Sequence, residues 1–130
     1  MAEIRTGAKR ERTVLVTSEV AIGFLGMDGA RVLSTPHMIG HMEWTCRTLL
    51  MEFLEKGYDS VGTHVDVRHL AAAPLGASVT FAAEVLAVDG KRVNFRVSAR
   101  TEAETIGEGT HERAVVNVAK FAARLAEKTA

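Results

Sequence analysis

Two polar side chains occupy positions where the surrounding pattern calls for apolar ones, and between them they offer acid–base chemistry. Glu43 lies at the edge of an apolar stripe in a long helical segment, and His69 continues the buried row of an alternating strand. Carboxylates and imidazoles are the groups that take and give protons in many enzymes. Each residue also has a plain structural interpretation: a Glu43 that reaches solvent or accepts from a backbone amide, and a His69 that is a satisfied core residue.

The segment that carries Glu43 is predicted to be a helix from Pro36 to about Lys56. Proline suits the first helical position after Ser or Thr, and Gly57 suits a C-terminal cap. A helix of about 20 residues would be the longest element and would organise the core. Its predicted apolar stripe consists of Met38, Met42, Cys46, Leu49, Leu50 and Phe53. A carboxylate beside such a stripe loses solvation unless it is hydrogen-bonded.

A second side of this helix carries Trp44 and Met51. A helix that is apolar on two sides is usually enclosed, either by its own fold or by a partner chain. We therefore expect Trp44 to contact a second subunit.

The rest of the chain reads as strands joined by turns. Residues 12–17 are predicted to form a first strand, and residues 19–26 a short helical stretch that gives way to a glycine-containing loop up to Leu33. Alternation then predicts strands with buried rows and a closing helix over residues 119–128. The rows are Val61, Thr63, Val65, Val67 and His69; Val79, Phe81, Ala83, Val85 and Ala87; and Val93, Phe95, Val97 and Ala99. Val88 to Lys91 supplies an Asp-Gly hairpin turn, and a last strand over residues 106–118 contains two glycines that favour a bulge.

This order of elements predicts an α+β fold, in which one antiparallel sheet of about five strands wraps around one long central helix. That is the hot-dog arrangement, and residues 1–130 are expected to form a single domain of this kind.

Composition argues against several classes of function. Sixteen Lys and Arg balance 16 Asp and Glu, whereas nucleic-acid binding draws on excess positive charge. The basic stretch at Lys9, Arg10 and Arg12 is interpreted as a solvated N-terminal arm. No apolar run is long enough to span a membrane and no secretory leader is evident, so we expect a cytoplasmic protein. His37 and His41 stand four apart on one helix face, but no histidine spacing pairs with a nearby carboxylate, so no metal site is expected. Cys46, the only cysteine, is interpreted as a core residue.

Four sequence blocks resemble the fluoroacetyl-CoA thioesterase family of hot-dog proteins over roughly residues 32–125. The blocks are His41-Met42-Glu43-Trp44; Val61-Gly62-Thr63; His69 leading into Ala71-Ala72-Ala73-Pro74 and Gly76; and the most specific, Ile106-Gly107-Glu108-Gly109-Thr110-His111-Glu112-Arg113-Ala114-Val115. This resemblance implies an acyl-CoA thioesterase with a Thr/Glu/His catalytic set that falls on Thr35, Glu43 and His69. It also implies that the backbone of Gly62 and the side chain of Arg113 hold the substrate.

In the implied reaction, Glu43 attacks the thioester carbonyl or orients the attacking water, and His69 polarises the carbonyl or acts as acid and base. Thr35 is expected to hydrogen-bond Glu43. No cofactor is expected, because the CoA thioester is the substrate, and the expected assembly is a homodimer, with pairing of dimers into a tetramer left open. Neither nucleic acid nor a membrane is an expected partner.

The segment before Thr35 is shorter than in the fluoroacetyl-specific member and offers only Phe24 and Leu25 among glycines. A small or short-chain acyl-CoA is therefore the expected substrate, with fluoroacetyl selectivity unsupported. Two other readings stay open: a hot-dog acyl-CoA hydratase or dehydratase, and a non-catalytic acyl-CoA-binding module.

Overall fold

A computed structural model describes residues 3–22 and 30–129 of the chain. Its main sheet has five antiparallel strands: β1 (Lys9–Leu15), β4 (Tyr58–His69), β5 (Ser78–Asp89), β6 (Arg92–Arg100) and β7 (Thr105–Asn117). They lie side by side in the order β1-β5-β6-β7-β4, so β4 is an edge strand. A short pair, β2 (Ala21–Ile22) and β3 (Val32–Leu33), lies ahead of the helix α1 (Thr35–Met51), and the helix α2 (Val118–Lys128) closes the described chain.

The core lies between α1 and one face of the sheet. The predicted stripe is confirmed for Met38, Met42, Cys46, Leu49 and Leu50, which are the core members from α1. Phe53 lies beyond the end of the helix and is partly buried against the same core. They meet the buried rows of β5 and β6, whose alternation is confirmed from Val79 to Val85 and from Val93 to Ala99. The expected α+β architecture, with a five-stranded antiparallel sheet and one long helix, is therefore confirmed.

The sheet contains both a hairpin turn between β5 and β6 and a bulge in the last strand, as predicted. The turn between β5 and β6 is centred on Gly90 and Lys91, one residue later than an Asp-Gly centre. Gly90 has φ +60°, and no non-glycine residue of the described chain has positive φ, which is the sign pattern of a type II′ turn. The bulge expected in the last strand is at Ile106, because Thr105 and Gly107 pair with consecutive residues of β6.

Three predicted boundaries are wrong. The first strand begins at Lys9, so the basic stretch is an exposed part of β1 rather than a free arm. The helix α1 ends at Met51, because the chain turns there and Gly57, with φ +93°, forms part of the approach to β4 rather than the helix cap. Residues 18–20 form a turn and Ala21–Ile22 pairs with β3, so the short helix is not formed there. The remainder of that predicted helix, with Phe24 and Leu25, lies outside the described residues.

Two of the five positions in the row predicted for β4 are wrong, and the cause is a bulge. Gly62 pairs with Arg113 and His64 pairs with Glu112, which leaves Thr63 as an extra residue. Directly paired residues share a face of the sheet, so an extra residue reverses the alternation beyond it. Gly62 therefore faces α1, as do Val65 and His69 beyond the bulge, whereas Val61 and Thr63 face away.

Candidate active site

Glu43 lies directly over a side-chain-free position of the edge strand. It projects from α1 toward Gly62 on β4, and its side chain is 39% exposed. A Cβ added at Gly62 would lie 2.5 Å from Glu43 Oε1, closer than real Cβ atoms approach other atoms. A side chain at this position would displace the Glu43 carboxylate from over the strand, and the bulge at Thr63 turns this glycine toward α1. The strand backbone at Gly62 and the carboxylate of Glu43 are therefore held face to face.

A buried arginine stands behind the carboxylate. Arg113, on β7, is 6% exposed, and its Nη1 lies 3.8 Å from Glu43 Oε1. Its Nε donates to Ser60 Oγ at 2.7 Å and its Nη2 donates to the Ser60 carbonyl at 2.9 Å. Burial lowers the pKa of Arg113, and the negative charge of Glu43 opposes that shift. The guanidinium is thus fixed as a positive charge beside Glu43, and it lies inside the protein rather than at the surface.

The histidine beside this arginine has one defined tautomer. His111 is 1% exposed, and its Nδ1 lies 2.8 Å from the His64 carbonyl, which can only accept. Nδ1 must therefore carry the proton, and the unprotonated Nε2 accepts from Arg113 Nη1 at 3.1 Å. Desolvation is the main cause that lowers the pKa of His111, which favours this neutral form.

The other two predicted catalytic residues form a separate pair. Thr35 Oγ1 lies 2.7 Å from His69 Nδ1, so within one chain Thr35 contacts His69 and does not form the expected hydrogen bond to Glu43. The physical reason is distance along the helix: eight residues at 1.5 Å each separate Thr35 from Glu43 by about 12 Å. The helix cap is made by Ser34, whose hydroxyl accepts from the His37 amide, and this leaves the Thr35 hydroxyl available to His69.

His69 has an unused ring nitrogen. Its Nε2 is buried and has no hydrogen-bond partner in residues 3–22 and 30–129. Buried polar atoms are rarely left without a partner, and those that are often belong to a functional site. The Thr35–His69 pair lines a cavity of about 420 Å³ whose other walls are Val32, Leu33, Leu70, Ala71 and Ala72. An open pocket beside an unpaired imidazole nitrogen can accommodate a small acyl group.

The five predicted site residues therefore form two groups in one chain. Glu43, Gly62 and Arg113 lie together, and Thr35 and His69 lie together about 12 Å away along α1. Sequence reasoning missed Ser60 and His111, which fix the arginine. Ser60 was missed because the bulge reverses which residues of β4 face α1, and His111 because glycines obscured the alternation of β7.

Three other features considered from the sequence are the Cys46 thiol, a metal site and a membrane-spanning helix. Cys46 is fully buried, and burial raises its pKa to about 12, so its thiol packs as a small apolar group. Among the residues that the structure describes, no three His, Cys, Asp or Glu side chains are grouped so as to hold a metal ion. Neither described helix is long and apolar enough to cross a membrane.

A five-stranded antiparallel sheet around a central helix, with a carboxylate held over a glycine of the edge strand, places the protein among hot-dog-fold thioesterases. A hot-dog-like protein from Thermanaerovibrio acidaminovorans has the same fold, with a TM-score of 0.88 at 27% identity over 96% of this chain and 93% of that one.

The sequence relatives are more specific. Residues 16–119 match the family of the fluoroacetyl-CoA-specific thioesterase, and the chain belongs to this family. The fluoroacetyl-CoA thioesterase of Streptantibioticus cattleyicolor is 46% identical over 98 residues, which cover 75% of this chain and 70% of that protein. A solved structure of the fluoroacetyl-CoA thioesterase gives a TM-score of 0.88 at 36% identity, over 98% of this chain and 99% of that one. The resemblance expected from the four sequence blocks is confirmed, and the protein is a thioester hydrolase.

Proposed function

We propose that this protein hydrolyses the thioester of a small or short-chain acyl-CoA, releasing the free acid and CoA. Membership of the thioesterase family supports the reaction class. The observation that carries the assignment of residues is the placement of Glu43 over Gly62 with the buried Arg113 behind it. A carboxylate fixed beside strand backbone is suited to attack a carbonyl there, or to orient a water molecule that does so.

The other groups follow from what a thioester carbonyl needs. Developing negative charge on the carbonyl oxygen requires hydrogen-bond donors. The outer edge of β4 around Gly62 offers backbone N–H groups that no strand within residues 3–22 and 30–129 takes up. His69 supplies an imidazole with a free Nε2, and Thr35 holds its Nδ1. In this proposal Thr35 positions His69 rather than Glu43.

We further propose that the working enzyme is a homodimer and that its catalytic set is completed between subunits. Within one chain, Glu43 is too far from Thr35 and His69 for all three to act on one carbonyl. The strand β4 has a free edge of 12 residues, with Val65 40% exposed, and Trp44 of the adjoining helix is 48% exposed. Unpaired edges and exposed large apolar side chains are features of a subunit interface.

Pairing of β4 with its own copy would join the two groups of residues. In an antiparallel pair about a twofold axis, the numbers of opposed residues have a constant sum. An axis at Asp66 sets that sum at about 132, so that opposed residues share a face of the sheet, and the extra residue at the Thr63 bulge then brings His69 of the partner subunit opposite Gly62. Each of the two sites would then combine Glu43 of one chain with Thr35 and His69 of the other.

The reaction is tested by measuring thiol release over a panel of acyl-CoAs from acetyl to long chain, with fluoroacetyl-CoA included. We expect turnover to peak among small acyl groups and to be abolished in Glu43→Gln with the fold retained by circular dichroism. Near wild-type turnover in Glu43→Gln would refute the role of Glu43. Sedimentation velocity tests the dimer. A cytoplasmic location is part of the proposal, because CoA thioesters are intracellular metabolites, and cell fractionation tests it.

A further inference from the structure

A groove at the end of β7 gathers four cationic side chains. Lys91 and Arg92 approach it from the β5–β6 hairpin, and Lys120 and Arg124 approach it from α2. The groove has a volume of about 590 Å³, and no acidic residue lines it. Its floor is formed by Ala114, Val115, Val116, Asn117 and Ala123.

In the residues that the structure describes, no carboxylate forms an ion pair with any of these four cations. Some other arginines of the surface do pair with carboxylates, as in Arg10–Glu52 and Arg100–Glu11. The chain as a whole is neutral, with 16 basic and 16 acidic residues. Like charges that converge without counter-charges repel each other, and an arrangement of this kind favours an anionic ligand.

An apolar recess opens beside the cations. It has a volume of about 260 Å³ and is lined by Ile4, Tyr58 and Val115, together with Gly90, Asn117 and the same Lys91 and Lys120. Tyr58 is half-buried and presents a ring on which a planar base can stack. A ring for base stacking beside a cluster of cations is the combination of protein groups that a phosphorylated nucleotide requires.

The groove also lies at a suitable distance from Glu43. Gly62 pairs with Arg113, and Tyr58 pairs with Asn117, so four residues of β4 separate the carboxylate from the recess. At about 3.3 Å per residue this is roughly 13 Å of strand. The pantetheine arm of CoA has the length of between four and five extended peptide residues, about 15 Å.

We propose that this groove binds the nucleotide end of CoA, with the phosphates on Lys91, Arg92, Lys120 and Arg124 and the adenine beside Tyr58. The inference rests on the proposed acyl-CoA hydrolysis and adds a binding site for the nucleotide part of the substrate. A free nucleotide such as adenosine 3′,5′-bisphosphate presents the same chemistry, so the test separates the two sources.

The test compares an acyl-CoA with the same acyl group on pantetheine, which carries no phosphate. In the double variant Lys120→Gln/Arg124→Gln, we expect the KM for the acyl-CoA to rise about tenfold at low salt, since an exposed charge pair contributes a factor of about three. The KM for the acyl-pantetheine is expected to stay within twofold. Lys128→Gln, on the same helix but outside the groove, is the matched control and should change neither. Lys91→Gln/Arg92→Gln should repeat the effect from the hairpin side.

Binding measured by calorimetry keeps this inference separate from the proposed reaction. Wild-type protein should bind CoA and adenosine 3′,5′-bisphosphate in competition, and both Kd values should rise in the double variants. If the protein hydrolyses no acyl-CoA yet binds CoA through these cations, the proposed function fails and the groove assignment stands. Unchanged Kd and KM values in both double variants would overturn the assignment, and so would a bisphosphate that binds without displacing CoA.

Discussion

Subunit mixing provides the sharpest test of a catalytic set that is shared between two chains. The variants Glu43→Ala and His69→Ala are prepared separately, mixed, and allowed to exchange subunits. Each variant alone should lose thiol release by a factor of about 10² to 10⁴, the usual contribution of a positioned acid or base. Neither substitution removes a buried core side chain, so we expect both variants to fold and to dimerise.

The expected recovery follows from where the structure places the residues. Glu43 and the Thr35–His69 pair are about 12 Å apart along α1, whereas groups that act on one carbonyl lie within about 3 Å of it. If the two groups meet between subunits, one site of each mixed dimer contains both substitutions and the other contains neither. Random exchange makes half of the dimers mixed and leaves one intact site in each, so activity should return to about one quarter of wild type.

The assay is thiol release after mixing, with exchange followed independently by co-purification of an untagged with a tagged chain. Thr35→Ala mixed with His69→Ala is the matched control. Both residues come from the same chain in the proposed site, so every mixed dimer keeps two defective sites and no activity should return. Failure of the Glu43→Ala and His69→Ala mixture to recover activity, despite complete exchange, would refute the shared site.

Three further predictions concern single positions. Gly62→Ala should lower kcat by about ten- to a hundredfold with little change in Tm, because the added Cβ would displace the carboxylate of Glu43. Gly40→Ala is the control, at an exposed helical position with open space around it. It should raise the free energy of unfolding by about 0.5–1 kcal/mol and keep full activity. The pKa of His111 lies below its ordinary value of 6.5 in the folded state, so the unfolded chain takes up more protons as the pH falls below 6.5, and stability should decline there. Urea unfolding from pH 8 to pH 5 should show a shallower decline in His111→Gln, which keeps an acceptor that does not titrate, and equal slopes would contradict the assignment. With its pKa raised to about 12, Cys46 should resist disulfide reagents in the folded protein and react in urea, whereas rapid labelling without denaturant would contradict its burial.

The outline of the fold could be predicted because it depends on patterns within single elements. The alternating rows of β5 and β6 and the apolar stripe of α1 each bury one face, and periodicity alone indicates which face that is. Element ends were less predictable. The helix α1 stops at Met51 because the chain must turn there to enter β4, a requirement set by the position of the sheet rather than by local propensity.

The candidate site was predictable in its residues and unpredictable in its geometry. The four sequence blocks identified Glu43, His69 and Arg113, since residue types at given spacings are visible in a sequence. The bulge at Thr63 was not visible, although it decides that Gly62 rather than Val61 faces α1. The partner of the Thr35 hydroxyl also depended on the fold, because it joins residues 34 positions apart.

By itself, the sequence determined the class of fold, the thioesterase family and the identity of the candidate residues. These properties follow from hydrophobic periodicity and from motifs, which are local in the chain. Only the tertiary structure decided that Arg113 is a buried support for Glu43, that His111 is neutral, and that Thr35 and His69 form a pair apart from the carboxylate. Those relations depend on strand register, a single bulge and burial, which arise when distant segments pack together.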